Sequence, residues 1–343
     1  MMSTSIQTRC IDPSQRELWD AYVDSNSLSI AWQRYEWHDI LNRHYPHVFS
    51  PLAAFDGKTI RGVLPLYRLE NSRTYISVPF AVAGGIVSDS PEIERSLLDS
   101  AVALLNREGN SSLILKQYKH KIAGDLRCDG AYFNRELTIS PDLDALWNGI
   151  APQNKQMISD ARSAGFSLEY PSRNSKEFYS ILLADQHNQG IPCVSVRWVE
   201  DLVHSSMYTC ALVRFKGKAI AGTLAKTFKT TVSFPFTALK KNNDLCVMAA
   251  YWLYWELIGY FAKKGITIVH SGRVPANEAV PKYRLGWGGT KYAYYYQYFP
   301  NTATLTESSR KRGLKRTFFK MAWRMLPLPL AAKFGQRIVR KFP

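Results

Sequence analysis

Paired cysteines are missing from this chain. Its five cysteines (Cys10, Cys128, Cys193, Cys210 and Cys246) stand singly, with no C-x-x-C pair. Neither a disulfide framework nor a zinc ribbon is suggested by that spacing, which fits a reducing compartment and leaves no metal site expected. A leader-like apolar run is missing too: from Met1 to Gln15 nothing reaches signal-peptide length, and Asp12 and Pro13 interrupt the segment early, so secretion is not expected. Apolar residues are not scarce. With 46% hydrophobic and 13% aromatic residues, a disordered or collagen-like polypeptide is excluded. The 343 residues exceed what one hydrophobic core usually fills, so two domains are expected.

Acidic residues are few beside basic ones, 28 against 44, for a net charge of +16. Position decides what this means. Residues 306–343 hold eleven Lys or Arg and one Glu, a net +10, which leaves +6 for the first 305 residues. The body is mildly basic and the tail carries most of the excess, which weakens a reading of the body as a nucleic-acid surface.

The chain repeats itself. Phe55–Leu64 (FDGKTIRGVL) and Phe215–Leu224 (FKGKAIAGTL) share six of ten residues. Each follows an apolar run and sets Gly57 or Gly217 where a hairpin turn needs positive φ, so each predicts strand, turn, strand. Val78-Pro-Phe80 matches Phe234-Pro-Phe236, and a glycine, Gly109 or Gly265, lies 29 residues beyond each of the two Phe positions. Between these landmarks Ile93–Arg107 and Leu245–Lys263 carry apolar residues at helical spacing, ending where the glycine permits a left-handed C-cap. Short apolar strands follow at Ser112–Leu115 and Ile266–Val269. The order of hairpin, strand, helix and strand in both halves predicts mixed sheets with helices packed on them.

The run from Leu245 to Ala262 is long enough to test as a membrane span. Glu256 interrupts it and Lys263-Lys264-Gly265 ends it at a strand, so a buried core helix is the expectation. A domain boundary is expected near Asp142–Pro152, after a strand at Arg135–Ile139 and before a helix at Asn154–Ala164 closed by Gly165. The expected organisation is residues 1–147, 148–305 and a basic tail, 306–343.

Several segments, spanning most of residues 25–300, resemble those of the FemAB-like branch of the GNAT acyltransferase superfamily (BioF2-like proteins included). Ala31–Trp37 is similar to its S-x-x-Q-x-x-x-W segment and Gly62–Leu66 to its G-x-x-P-L strand. Ser77–Phe80 with Gly84–Ile86 resembles S-x-P-F…GG. Asn154–Gly165 resembles its basic R-x-N-x-R-K…A-x-x-x-G helix, and Gly190-Ile-Pro192 its l-G-x-P turn. Ser271-Gly-Arg273, Lys282 and Gly286-Trp-Gly288 resemble G-R-S…F-K…W-G. The chain departs from that pattern at Gln153, Gln156 and Ser159, where basic residues are usual, and at His270 and Val274. It also lacks the Q/R-x-x-G-x-G/A signature of ordinary GNAT proteins, which leaves the donor open.

The resemblance implies an α/β fold of two tandem GNAT-like domains. It also implies transfer of an acyl or aminoacyl group, from acyl-CoA or aminoacyl-tRNA, to an amine of a cell-envelope, exopolysaccharide or peptidoglycan precursor. The partners are then the donor and an amine-bearing glycan or peptide, with no resident cofactor. Such a transfer needs a polarised carbonyl, a deprotonated amine and good positioning, but no covalent nucleophile. Cys193 and Cys210, in apolar stretches, are expected to be packing residues. Arg273 and Lys282 suit phosphate or carboxylate binding, against a surface or ion-pair role. His270, or alternatively Glu278, is the candidate general base, against a hydrogen-bonded structural role.

Gln33, Tyr35 and Trp37 alternate as if on one face of an extended segment and are substrate-binding candidates, against a core role. The run Tyr292–Tyr298 is expected as a strand at the sheet's end, with stacking on nucleic acid as its alternative. The tail mixes aromatic or aliphatic residues with Lys and Arg, as helices on anionic lipid do; docking on the body and attraction of tRNA are its alternatives. The expected place is cytoplasmic, peripheral at the inner face of the membrane. Two rival functions remain, a catalytically silent GNAT-like partner in a polysaccharide assembly complex and a tRNA-binding module.

Overall fold

The structure, a computed structural model, describes residues 6–109, 111–275, 282–301 and 308–340. The chain divides into two units, Met1–Phe133 with Tyr292–Thr304, and Asn134–Lys291 with Leu305–Phe342.

In unit 1 the strands β1 (Gln7–Cys10), β3 (Leu52–Asp56), β4 (Thr59–Leu64) and β7 (Val87–Ser88) form one sheet in the order β1-β3-β4-β7. A second sheet runs β16 (Thr290–Phe299), β8 (Ser112–Tyr118), β6 (Thr74–Ile76), β5 (Tyr67–Arg68) and β2 (Val48–Phe49). The start of β9 (Arg127–Thr138) lies beside β16. The tyrosine run therefore sits between two strands rather than at the sheet's end, because β9 covers the edge that β8 leaves open.

The helices α1 (Arg16–Ser25), α2 (Tyr35–His44) and α3 (Pro91–Arg107) belong to unit 1. Helix α3 forms where the sequence signals it. Ser90 caps it by accepting from the Ile93 N–H at 3.4 Å, Pro91 opens it, and Glu92 and Glu94 face the positive end of its dipole. Its buried stripe of Ile93, Leu97, Leu98, Ala101 and Leu105 packs with Leu52, Leu64 and Leu113.

Unit 2 begins inside β9, and the expected boundary at 142–152 lies within it as α4 (Leu143–Gly149). Turn chemistry marks residues 142–152 in the sequence, but compactness is set by where strand pairing changes, and β9 is long enough to serve both units. Then follow α5 (Pro152–Ser163), β10 (Phe166–Ser172), α6 (Ser175–Gln189), α7 (Val196–His204), β11 (Tyr208–Phe215), β12 (Lys218–Phe228), β13 (Thr231–Leu239), α8 (Asp244–Lys263), β14 (Ile268–His270) and β15 (Val274–Pro275). Strand order is β10-β11-β12-β13-β14-β9, with β15 also on β9. From β10 to β9 the pairs are antiparallel except β13 with β14, which α8 connects.

The repeat is visible in three dimensions. β3–β4 and β11–β12 are antiparallel hairpins that turn at Gly57 (φ 59°) and Gly217 (φ 75°). In each unit a helix, α3 or α8, then leads into a strand that pairs in parallel with an earlier one, β8 with β6 and β14 with β13. Helix α8 passes a length and composition test for crossing a membrane, but 67% of its apolar window is buried. Tyr251, Leu253, Leu257 and Phe261 from it form the core of unit 2 with Val213, Val232 and Phe234, as expected of a core helix.

The tail is packed, not free. It forms α9 (Ser308–Met325) and α10 (Leu328–Val339), both on α6. A Cβ on Gly190 would lie 2.7 Å from Lys320 Cβ, and one on Gly335 would lie 2.8 Å from the Cys193 carbonyl oxygen. His187 Nε2 is 2.9 Å from the Leu326 carbonyl oxygen, and Trp323 and Ala331 are buried. Two glycines allow this approach, and neither is recognisable as a docking residue from the sequence.

Candidate functional site

Pairing register in unit 2 lines up a polar row. Tyr208 pairs with Lys226, Lys226 with Ser233, Ser233 with His270, and His270 with Glu136. Directly paired residues share one face of a sheet. Their neighbours Val232 and Val269 belong to the core under α8 and Leu137 packs against it, so alternation places Ser233, His270 and Glu136 on the opposite face. The pairing of β13 with β14 ends at Ser233 and His270, while β13 continues along β12 to Leu239. The row therefore sits where two parallel strands part.

His270 Nε2 lies 2.9 Å from Glu136 Oε1, with the two side chains 18% and 10% exposed. A neutral imidazole donating to this carboxylate carries its proton on Nε2, which leaves Nδ1 the proton acceptor. The Ser233 hydroxyl is buried without a hydrogen-bond partner among the described residues. Lys226 is buried too, and loss of solvent pushes its ammonium well below the usual lysine range. Past the parting of the strands, the backbone N–H of Leu239 and Gln189 Nε2, the latter at 2.9 Å, donate to Asp185 of α6, whose carboxyl burial nevertheless pushes up to about 6.

The loop after β14 is tied down by backbone and side chain together. Ser271 N–H donates to the Arg135 carbonyl (3.0 Å), and Gly272 N–H donates to Asn134 Oδ1 (3.1 Å). Arg284 Nη2 donates to the Ser271 carbonyl at 2.6 Å, and a Cβ on Gly272 (φ 82°) would stand 2.6 Å from that same nitrogen. Only glycine fits there. Arg273 and Lys282, at the two ends of this region, are both exposed. Glu278 falls in 276–281, outside the described residues.

On the α8 face the same loop closes a cavity of about 370 Å³, with Arg135, Arg284 and Ser271 in its wall beside Tyr254, Ile258 and Trp287. Leu137, Val269, Leu285, Gly286 and Gly288 line the rest of it. The Trp287 indole donates to the Tyr283 carbonyl at 2.7 Å, which fixes the ring against Tyr254 at 6.0 Å.

Gln33, Tyr35 and Trp37 lie in unit 1, and their segment is not extended. Residues Ala31–Gln33 form a 3-10 turn and Tyr35 begins α2, so alternation in sequence does not become one shared face. All three are buried. Gln33 accepts from the Ile30 N–H at 2.9 Å and donates to the Gly85 carbonyl at 2.8 Å. The Trp37 indole donates to the Pro79 carbonyl at 3.3 Å, and Tyr35 packs edge-on against His38 and Phe49. Cys193 and Cys210 are buried, and burial pushes both thiols up to about 12.

Sequence reasoning singled out His270, Arg273 and Lys282 but missed Glu136, Lys226, Ser233, Asp185, Arg135 and Arg284. Glu136 and Ser233 meet His270, and Lys226 meets Ser233, through strand register, which no local motif announces. Arg284 alone had a local signal, lying between Lys282 and the Gly286-Trp-Gly288 stretch.

No protein-family model matches this sequence, and no curated protein matches it. Solved structures do. FemX aligns with a TM-score of 0.65 at 12% identity, over 85% of this chain and 96% of its own. The C-terminal (DUF2156) domain of a putative lysylphosphatidylglycerol synthetase from Agrobacterium fabrum aligns at 0.56 and 9% identity, over 89% and 95%. A tandem GNAT protein from the clavulanic acid biosynthesis pathway aligns at 0.53 and 12%, over 85% and 98%. The fold is that of these structures, an α/β fold of two tandem GNAT-like units.

Proposed function

We propose that the protein is an N-acyltransferase that moves an acyl or aminoacyl group onto an amine of a cell-envelope, exopolysaccharide or peptidoglycan precursor. The observation that carries this reading is the His270–Glu136 pair, at the register where β13 and β14 part. In the reaction the amine nitrogen attacks the acyl carbonyl carbon and a C–N bond forms. The bond to the sulfur of acyl-CoA, or to the ribose oxygen of aminoacyl-tRNA, breaks, and the leaving group takes a proton. Nδ1 of His270 accepts the amine's proton, while Glu136 holds the ring in that tautomer and stabilises the imidazolium.

Arg273 and Lys282, exposed beside this region, hold anionic groups of donor or acceptor. Gln33 and Trp37 act in this reading through the shape of residues 79–85, whose Gly85 and Pro79 carbonyls take their hydrogen bonds, and Tyr35 through its packing on Phe49. The tail sets the protein on an anionic leaflet at the cytoplasmic face. Phe318, Met321 and Met325 are 73%, 57% and 83% exposed, and Arg324, Lys333, Arg337 and Arg340 are exposed on the same two helices, a combination suited to interfacial insertion.

The test is turnover of a panel of acyl-CoA and aminoacyl-tRNA donors with amino-sugar and peptide acceptors, product detected by mass spectrometry. Transfer that His270→Gln abolishes supports the reading. Absence of transfer with every donor, together with retained binding of a glycan precursor, would make the protein a silent binding partner instead.

A further inference from the structure

The cavity on the α8 face is a place for a ligand in its own right. Its wall alternates two chemistries. Leu137, Ile258, Val269, Tyr254 and Trp287 give it apolar and aromatic surface, whereas Arg135 and Arg284 give it two guanidinium groups. Among the described residues neither arginine has a carboxylate partner. Arg135 donates at 3.3 Å to the Gly289 carbonyl, and Arg284 gives Nη2 to the Ser271 carbonyl while its Nε–H is buried with no acceptor. Two cations, Arg135 exposed and Arg284 partly buried, in an otherwise apolar cavity suit an anion whose remaining body is apolar.

We propose that this cavity binds a monocarboxylate with an apolar chain, the carboxylate on Arg284 and Arg135 and the chain along Ile258, Val269 and Trp287. The planar fork of an arginine matches two carboxylate oxygens, and Arg135 and Arg284 both line the cavity. Size sets the ligand's length. At about 30 Å³ for each water-sized group, 370 Å³ takes on the order of a dozen non-hydrogen atoms, which is the size of decanoate. The cavity lies across the sheet from the imidazole of His270, so the ligand is separate from the groups undergoing transfer.

Isothermal titration of the full chain with decanoate, decan-1-ol and decylamine tests this without any acyl donor, so its failure and that of the transferase reading are distinguishable. Decanoate should bind at least roughly tenfold more tightly than the alcohol, and the amine should not bind measurably. Arg284→Gln and Arg135→Gln should each weaken decanoate about tenfold or more while leaving the alcohol unchanged. Ile258→Phe, which fills the cavity with an apolar group, should abolish binding of both and keeps the test valid if either arginine variant folds poorly. Equal affinity for acid and alcohol, undiminished binding in Ile258→Phe, or no binding of decanoate would overturn the proposal.

Discussion

His270 and Glu136, separated by more than a hundred residues of sequence, meet at 2.9 Å because β14 and the end of β9 pair in antiparallel register. In the proposed reaction the imidazole acts and the carboxylate positions it. His270→Gln should lower kcat by about 10²- to 10⁴-fold with KM nearly unchanged. Glu136→Gln should give a smaller loss and a displaced pH profile, and Glu136→Asp should recover part of it. A full-rate His270→Gln enzyme would remove this residue from the chemistry.

Arg273 and Lys282 are exposed, and in the proposed reaction they hold anionic groups. Arg273→Ala and Lys282→Ala should each raise KM or weaken donor binding roughly tenfold, with the thermal midpoint unchanged. A fall in stability would instead give them structural roles.

Asp185 makes stability pH-dependent in a defined direction. Burial holds its proton up to about pH 6 in the folded protein, whereas the unfolded chain releases it at about pH 3.9. The folded state binds more protons across that window, so this group lowers stability as pH rises through it. Asp185→Asn should therefore raise the thermal midpoint at pH 8, and the gain should vanish below about pH 4. A gain independent of pH would assign the effect to packing.

Lys226 has the opposite slope. Its ammonium is pushed well below the usual range by burial, while an unfolded chain keeps that proton to about pH 10.4. The unfolded state binds more protons between those values, so stability rises with pH there. Lys226→Met should raise the midpoint at pH 7 by about 2–8 °C, with the gain shrinking as pH approaches 10. A destabilised variant would mean that the amine's contacts outweigh its desolvation.

The docked tail has an inner face holding Trp323 and Ala331 and an outer face showing Phe318, Met321 and Met325. Met325→Ser with Phe318→Ser should weaken binding to anionic liposomes several-fold without changing the thermal midpoint. Each Lys or Arg near the leaflet contributes about 1 kcal/mol, so binding should also fall as salt rises and be poor on neutral vesicles. Deleting 306–343 should abolish vesicle binding and, because it bares α6, lower the midpoint by several degrees. Undiminished sedimentation of the double variant with anionic vesicles would locate membrane contact elsewhere.

What the sequence determined by itself was local or repeated. The hairpins at Gly57 and Gly217 and the helices α3 and α8 with their capping residues follow from backbone preference and apolar period, and those act over a few residues. The repeat then disclosed two α/β units, and Ser271-Gly-Arg273 marked a loop where only glycine fits against Arg284.

Tertiary structure decided everything that depends on register or close approach. A one-residue shift in the pairing of β14 with β9 would turn Glu136 away from His270, and nothing in either strand's sequence fixes that shift. The same holds for the row joining Lys226 to Ser233, for α9 seated on Gly190, and for the buried places of Gln33 and Trp37. The two arginines of the cavity were unreadable for a related reason: a guanidinium's partners come from whichever backbone carbonyls and acids the fold brings near, and here it brought carbonyls.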